Sequence, residues 1–189
     1  MDLSSDEDIN RFVSAVVDRY GHIDILINNG ATTNDSLFAE KDRESFERVL
    51  SINLVGTFII SKMVGELMRK QKSGSIINIS STNGMNTYFP MCLEYDASKS
   101  ALNSMTHNLA MQFSPYVRVN AIAPGFIATE SEIDGMDEEY LQMEADKILL
   151  KRLGVEEDVS NLAMFLASEK ASYINNQIIK VNGGVYGEE

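Results

Sequence analysis

Two hydrophobic patterns alternate along this chain of 189 residues. Four short runs rich in isoleucine and valine end at glycine, asparagine, serine or proline, and they read DILIN, SIINIS, VRVNAIA and QIIKVNG. Such runs are typical of strands that are buried on both faces of a parallel sheet. Longer stretches with a 3.6-residue hydrophobic period lie between them and predict helices. This alternation indicates an α/β fold with a doubly wound parallel sheet.

The 3.6-residue period predicts four helices, over about 4–21, 43–70, 95–113 and 155–166. In the first, Ser4 and Glu7 form a capping box, and Gly21 ends the helix. The apolar side of the second is formed by Phe46, Val49, Leu50, Val55, Phe58, Ile59 and Met63. The chain shows no repeats and no linkers, so we expect a single domain over 1–189. Its least structured part would be the acidic connection 126–150, which is typical of a lid.

Composition excludes several classes of protein and site. The formal net charge of -12 argues against nucleic acid or an anionic membrane as a main partner. No apolar run approaches about 18 residues, so we expect no membrane span, and the acidic start MDLSSDEDIN argues against a signal or transit peptide. Cys92 is the only cysteine, which excludes an internal disulfide and fits a reducing cytoplasm. His22 and His107 are isolated in the sequence, so we expect no metal site.

Small polar or glycine-containing turns follow all four predicted strands. They read NGAT after DILIN, SSTNG after SIINI, PGFIAT after VRVNAIA and NGG after QIIKV. Loop composition by itself explains any one of these turns. In an open α/β sheet, however, ligands bind at the carboxyl ends of the strands. The four turns together therefore favour a binding site at that edge.

Tyr95 and Lys99 lie four residues apart at the start of the third predicted helix. Four residues is just over one helical turn, so the two side chains are neighbours. Packing on one side and solvent on the other would explain such a pair. Alternatively, the ammonium lowers the pKa of the phenol, which is ~10 in a free tyrosine, and prepares it for proton transfer.

Several motifs jointly resemble the short-chain dehydrogenase/reductase family. LINNGA resembles its Asn-Asn-Ala-Gly turn with the last two residues exchanged, INLVG its asparagine segment, and INISSTNG its serine loop. YDASK is similar to its Tyr-x-x-x-Lys motif, RVNAIAPGFIAT to its Pro-Gly turn, and VNGG to its closing strand, with Asn182 where aspartate is usual. The resemblance covers nearly the whole chain from Asp6 to Gly184. It is strongest to 3-oxoacyl-(acyl-carrier-protein) reductase-like members.

The resemblance implies an NAD- or NADP-dependent oxidoreductase that reduces a ketone or oxidises an alcohol by hydride transfer. Tyr95 would be the general acid or base, and Lys99 would lower its pKa and bind the nicotinamide ribose. Ser81 would donate a hydrogen bond to the substrate oxygen, and Asn53 would orient a water that relays protons to Lys99. Thr82 is the alternative to Ser81, because it lies 13 residues before Tyr95, the usual family spacing, whereas Ser81 lies 14 before it.

The same resemblance implies the cofactor contacts and the partners. The cofactor-binding residues would be Asn28, Gly30, Tyr95, Lys99, Pro124, Gly125, Ile127 and Thr129. The partners would be a small carbonyl or alcohol substrate and further copies of the chain, in a homodimer or homotetramer built on the second and third helices. Five residues would line the substrate pocket or pack under the lid: Met85, Tyr88, Phe89, Met91 and Cys92. The acidic residues of the lid are Glu130, Glu132, Asp134, Asp137, Glu138 and Glu139.

One family feature has no counterpart in this sequence. No G-x-x-x-G-x-G turn, which would hold the cofactor pyrophosphate, occurs in the 189 residues. The resemblance therefore implies an N-terminally truncated, Rossmann-like sheet that starts at the helix before the family's fourth strand, with 23–28 as an edge strand. Two hypotheses stay open: an oxidoreductase whose chain is incomplete here, or a non-catalytic relative that acts as an oligomerisation or interaction module. A nucleotide-sugar epimerase-type relative fits less well, because only 90 residues follow Lys99.

Overall fold

Four parallel strands form one sheet in a computed structural model that describes residues 1–85 and 89–185, apart from the side chains of Ser131 and Glu132. The strands are β1 (Ile25–Asn28), β2 (Gly74–Ile79), β3 (Val117–Pro124) and β4 (Ile178–Val181), in the spatial order β1-β2-β3-β4. Each strand is parallel to its neighbour, so all four carboxyl ends meet at one edge. The predicted parallel α/β sheet is confirmed.

Among the described residues, the first helix precedes β1 and the other helices lie between successive strands. They are α1 (Asp6–Tyr20), α2 (Arg43–Leu50), α3 (Thr57–Gln71), α4 (Leu93–Phe113), α5 (Glu130–Ile133), α6 (Glu138–Lys147) and α7 (Glu156–Ala167). A π-helical segment, Ser51–Gly56, joins α2 to α3, so the predicted long helix is continuous but not uniform. Helices α5 and α6 lie within 126–150, so the expectation that this connection is the least structured part was wrong.

Helices cover both faces of the sheet, as a doubly wound fold requires. Ile76 and Ile77 are consecutive in β2 and therefore point to opposite faces. Ile76 packs with residues of α1, α3 and α4, while Ile77 packs with residues of α7. Both side chains are fully buried, and each such burial stabilises the fold by about 1.5–3 kcal/mol.

The first helix begins one residue later than the sequence predicts. The Oγ of Ser5 accepts a hydrogen bond of 3.2 Å from the N–H of Asp8, so Ser5 is the N-cap. The predicted capping box of Ser4 is wrong, because the Ser4 hydroxyl instead donates to Asp2 at 2.8 Å. Gly21 ends the helix with a φ of 77°, which confirms the predicted glycine cap.

Strand β1 is an edge strand in the part of the chain that the structure describes. Its Ile25 and Ile27 side chains are 46% and 47% exposed. The prediction that 23–28 is an edge is therefore confirmed, whereas the expectation that this run is buried on both faces was wrong. Burial on both faces needs a helix on each side, and the helices cover β2 and β3 more fully than β1.

The continuous helical stretch Arg43–Gln71 is long and apolar enough, by length and composition alone, to cross a membrane. Polar residues interrupt this stretch, so the sequence contains no uninterrupted apolar run of the length of a membrane span. Within its most apolar window, 44% is buried inside the protein. Val64 and Met68 of α3 pack against the sheet, so core packing explains the apolar composition.

Candidate active site

The four proposed catalytic residues come from three segments near the carboxyl ends of β1 and β2. Ser81 follows β2, Tyr95 and Lys99 lie at the start of α4, and Asn53 lies in the π-helical segment. Hydrogen bonds connect the π-helical segment to α4, and the backbone of β2 to α4. The structure therefore brings these residues to the edge at which a ligand is expected.

Tyr95 and Lys99 are paired on one face of α4. The Lys99 Nζ lies 5.3 Å from the centre of the Tyr95 ring, within the range of a cation–π contact. The ammonium also donates a hydrogen bond of 2.7 Å to the Ile79 carbonyl at the end of β2. Lys99 is only 3% exposed, and this burial lowers its pKa to about 8. A buried cation next to a half-buried phenol is an arrangement that stabilises a phenolate.

Asn53 clamps the loop that follows β1. Its Oδ1 accepts from the N–H of Thr32, and its Nδ2 donates to the carbonyl of the same residue, both at 2.8 Å. The second Nδ2 hydrogen bond, of 3.0 Å, goes to the Oγ of Ser98, which itself donates to the Tyr95 carbonyl at 2.7 Å. This chain of hydrogen bonds links the β1 loop to the backbone of Tyr95.

The hydroxyl residues after β2 differ in their surroundings. The Ser80 hydroxyl is buried and donates to Asn103 at 2.6 Å. Thr82 is also buried, at 6% exposure. Ser81 is half-buried, and its Oγ accepts a hydrogen bond of 3.1 Å from the N–H of Asn83. This arrangement leaves the Ser81 hydroxyl proton for another acceptor and favours Ser81 over Thr82, although the assignment stays a prediction.

A buried ion pair next to Tyr95 was missed from the sequence. The Lys41 Nζ donates to the Oε2 of Glu94 at 2.6 Å, and the two side chains are 5% and 0% exposed. Burial by itself raises the pKa of the Glu94 carboxyl, but the hydrogen bond and the charge of Lys41, together with hydrogen bonds from the Glu94 backbone and Asn34, hold that pKa below its usual value. The partners are 53 residues apart, and their local sequences give no signal that would pair them.

Asn28 and Gly30, two predicted cofactor contacts, lie at the end of β1. The Asn28 amide donates to the Oγ of Ser61 and to the Oδ1 of Asn78, both at 2.8 Å, so it connects β1 to α3 and β2. Gly30 lies against Leu3, whose side chain a Cβ at this position would meet at 2.8 Å. The structure thus gives both residues a packing role, and cofactor binding by them stays a prediction.

The turn at the end of β3 contains the other predicted cofactor contacts, Pro124, Gly125, Ile127 and Thr129. The N–H of Gly125 donates to the Val181 carbonyl at 2.9 Å, and a Cβ at Gly125 would lie 2.7 Å from the Cβ of Asn182. Glycine is therefore required here by the close approach of the β3 and β4 ends. The N–H of Thr129 donates to the Ile127 carbonyl at 2.9 Å, which folds the turn back on itself.

The apolar segment before Tyr95 is described in part. Tyr88 lies outside the described residues, and so does the side chain of Glu132 in the proposed lid. Phe89 and Met91 are exposed, whereas Cys92 is buried and its thiol donates to the Oδ1 of Asp35 at 2.9 Å. Burial raises the pKa of Cys92 to about 12, so this thiol is not a nucleophile at neutral pH.

Comparison with known proteins places this site in a family context. The sequence profile of the family described as enoyl-(acyl carrier protein) reductase matches residues 1–186. The chain is 40% identical over 187 residues to 3-oxoacyl-(acyl-carrier-protein) reductase FabG of Aquifex aeolicus, covering 98% of this chain and 75% of that protein. It is 35% identical over 187 residues to glucose 1-dehydrogenase 2 of Bacillus subtilis, covering 97% and 72%. The solved structure of ElxO with NADP bound matches with a TM-score of 0.90 at 30% identity, covering 100% of this chain and 77% of that one.

Proposed function

Because the chain belongs to the short-chain dehydrogenase/reductase family, whose members are NAD(P)-dependent oxidoreductases, we propose that it interconverts a carbonyl compound and the corresponding alcohol. Tyr95 is the general acid in reduction and the general base in oxidation. The observation that carries this proposal is the buried Lys99 ammonium 5.3 Å from the Tyr95 ring. Tyr95 needs Lys99 for this proton transfer, because an isolated phenol is a poor acid at neutral pH.

Lys99 supports proton transfer by Tyr95 through its charge. When the phenol gives up its proton, the negative charge forms next to an ammonium that is shielded from water, where their attraction is strong. With a pKa of about 8, Lys99 is mostly protonated at neutral pH despite its burial. The cation is therefore present at the pH at which the phenol must act.

Ser81 and Asn53 complete the proposed site. Ser81 donates its hydroxyl proton to the substrate oxygen as charge develops there. Both N–H groups of the Asn53 side chain already have partners in Thr32 and Ser98. A relay water at Asn53 would therefore bind to a carbonyl oxygen of Asn53 and not to its side-chain N–H groups. The Asn53 side chain would instead position the loop after β1 beside Tyr95.

The described residues fit the nicotinamide end of an NAD or NADP cofactor. When bound, this cofactor supplies or accepts the hydride. Tyr95 and Lys99 offer a phenol and an ammonium to ribose hydroxyls, and the turn from Pro124 to Thr129 at the end of β3 offers backbone groups. The relative ElxO is solved with NADP bound, which supports a dinucleotide for this chain as well. Because the sequence has no G-x-x-x-G-x-G turn, we expect weak binding that requires millimolar cofactor.

The proposed substrate is a small 3-oxoacyl ester or thioester. Relatives are named for 3-oxoacyl-(acyl-carrier-protein) and for glucose. Phe89 and Met91, which lie between Ser81 and Tyr95 in the sequence, are exposed apolar side chains that suit an acyl chain better than a sugar. The acidic segment 126–150, proposed as the lid, would repel an acidic carrier protein, so we favour the small ester over the carrier-bound form.

Self-association and a cytoplasmic location are part of the proposal. Val55 and Phe58, on the outer side of the second predicted helix, are 49% and 41% exposed. Large apolar side chains exposed on helices are typical of protein interfaces, which supports a homodimer or homotetramer built on α3 and α4. The free thiol of Cys92 and the net charge of -12 support a cytoplasmic location without a nucleic-acid or membrane partner.

The test is oxidation of NADPH or NADH, at millimolar concentration, by a panel of small ketones and 3-oxoacyl esters. Tyr95→Phe should lower turnover by about 100-fold or more, because a general acid contributes 10²–10⁴-fold. Tyr116→Phe is the matched control, since Tyr116 is exposed and lies outside the site. Turnover that survives in Tyr95→Phe would overturn the proposed role. If no turnover is found with either cofactor, the non-catalytic hypothesis is favoured.

A further inference from the structure

The helix that carries Tyr95 begins only two residues before it. Its N-cap is Cys92, and among the described residues the side chain of Cys92 makes no capping hydrogen bond. The first turn of any helix leaves backbone N–H groups without intrahelical partners and frays unless other groups hold it. The position of the phenol therefore depends on contacts from outside α4.

Lys41 provides the strongest of these contacts. Its Nζ donates to the Oε2 of Glu94 at 2.6 Å, to the carbonyl of Asn34 at 2.9 Å and to the Oγ of Ser36 at 3.3 Å. An ammonium has three protons, and each has an acceptor here. Two acceptors lie in the loop 34–41, which follows β1, and the third lies in the first turn of α4. Lys41 thus closes its own loop and fastens it to the helix.

A second carboxylate fixes the other flank of Tyr95. Asp96 accepts from the Nδ2 of Asn83 at 2.8 Å and from the N–H of Phe89 at 3.2 Å. Asn83 also donates its N–H to the Oγ of Ser81. Tyr95 is therefore held between two buried carboxylates, one bound to the loop after β1 and the other to the loop that carries Ser81.

We propose that the Lys41–Glu94 ion pair is a positioning device for Tyr95, which fixes the first turn of α4 against the loop after β1. The proposal rests on the catalytic role assigned to Tyr95 above. An ion pair that served stability alone could lie on any buried surface. This pair instead includes Glu94, the residue directly before Tyr95. The negative end of the pair also lies at a helix N-terminus, where it is favourably placed.

The test follows the Tyr95 side chain directly, without turnover. The protein is labelled with 3-fluorotyrosine, and the Tyr95 resonance, one of seven tyrosines, is assigned by its loss in Tyr95→Phe. Lys41→Met should shift or broaden this resonance and speed amide exchange at Asp96 and Ala97 about tenfold, with the amides of Leu109 and Phe113 unchanged. Lys147→Met, which removes an exposed ion pair with Glu144, is the matched control and should leave the Tyr95 resonance unmoved.

A double variant separates positioning from stability. Lys41→Met with Glu94→Leu leaves no unpaired buried charge, so its unfolding midpoint should recover relative to Lys41→Met. The Tyr95 resonance should nevertheless remain altered, because the loop is no longer fastened to α4. A wild-type resonance in the double variant, or in folded Lys41→Met, would overturn the proposal. If Lys41→Met does not fold, the double variant decides alone. An absence of turnover would contradict the proposed function and leave this result unchanged.

Discussion

Asn53 makes two hydrogen bonds of 2.8 Å to the backbone of Thr32, one to its N–H and one to its carbonyl. A side chain that pairs with both backbone groups of one residue replaces a strand partner at that position. Asn53 is 1% exposed. Water therefore cannot replace the Asn53 side chain as a hydrogen-bond partner of Thr32 if a substitution removes it. The loop after β1 is therefore held by a carboxamide, and a residue with a different donor pattern cannot replace it.

Asn53→Asp tests this clamp. The substitution keeps the shape of the side chain but removes the donor to Thr32 and to Ser98, and it buries a charge. We expect a loss of about 3 kcal/mol in the free energy of unfolding, measured by urea denaturation. Asn108→Asp, on the exposed side of α4, should change that free energy by less than about 0.5 kcal/mol. Similar small losses in both variants would contradict the clamp.

Lys99 predicts a pH dependence of stability. Burial lowers its pKa from 10.5 to about 8, so between these values the unfolded chain binds more protons than the folded protein. The free energy of unfolding should therefore rise with pH in this window, by up to about 3 kcal/mol, relative to a Lys99→Met variant in which other titrations are unchanged. Urea denaturation of both proteins at about pH 7 and pH 10 measures this difference. If the free energies of unfolding of the two proteins differ by the same amount at both pH values, Lys99 is not desolvated.

Phe58 tests self-association. Phe58→Glu places a charge on the exposed apolar side of α3, where a second copy would exclude water. We expect light scattering to show a shift toward monomer, by about tenfold or more in the dissociation constant. Phe12→Glu, which alters a side chain of similar exposure on α1, should leave the assembly unchanged. A wild-type protein that is monomeric at micromolar concentration would contradict the proposed assembly.

Ile25 tests the exposed edge of the sheet. An apolar edge strand pairs readily with other chains, and a lysine on such an edge opposes this pairing. Because Ile25 is 46% exposed, Ile25→Lys should raise the solubility limit with little change in the unfolding midpoint. Phe12→Lys adds the same charge away from the edge and should raise solubility less. Equal gains from both variants would assign the effect to the loss of an exposed apolar side chain and not to the strand edge.

Regular features were predictable from the sequence because they depend on near neighbours. The four-residue spacing of Tyr95 and Lys99 placed them on one helical face, and the glycine at position 21 ended α1 as expected. Helix α4 begins at Leu93, two residues earlier than predicted. Contacts from distant loops hold that first turn, and no local pattern reports them.

Other parts of the site depend on pairs that are far apart in the chain. The partner of Glu94 lies in another loop, and the partners of Asn28 lie in α3 and β2. Asparagine after a strand is equally suited to a turn, a cofactor or a neighbouring strand, and only the assembled sheet distinguishes these roles. The π-helical segment was not foreseen either, since its single extra residue per turn is too small a change to alter the hydrophobic period.

That segment, Ser51–Gly56, has a consequence for how the gene can vary. Successive residues of an α-helix are rotated by about 100°, and a π-helical turn takes up one residue more than an α-helical turn. Loss of one codon here would allow a regular helix and rotate α3 by about 100° relative to α2, turning Val64 and Met68 away from the sheet. Substitutions within the segment change single contacts, whereas a deletion changes every contact of α3. We therefore expect drift in this gene to conserve the length of the segment and Asn53, whose side chain holds the loop after β1, while its other residues vary.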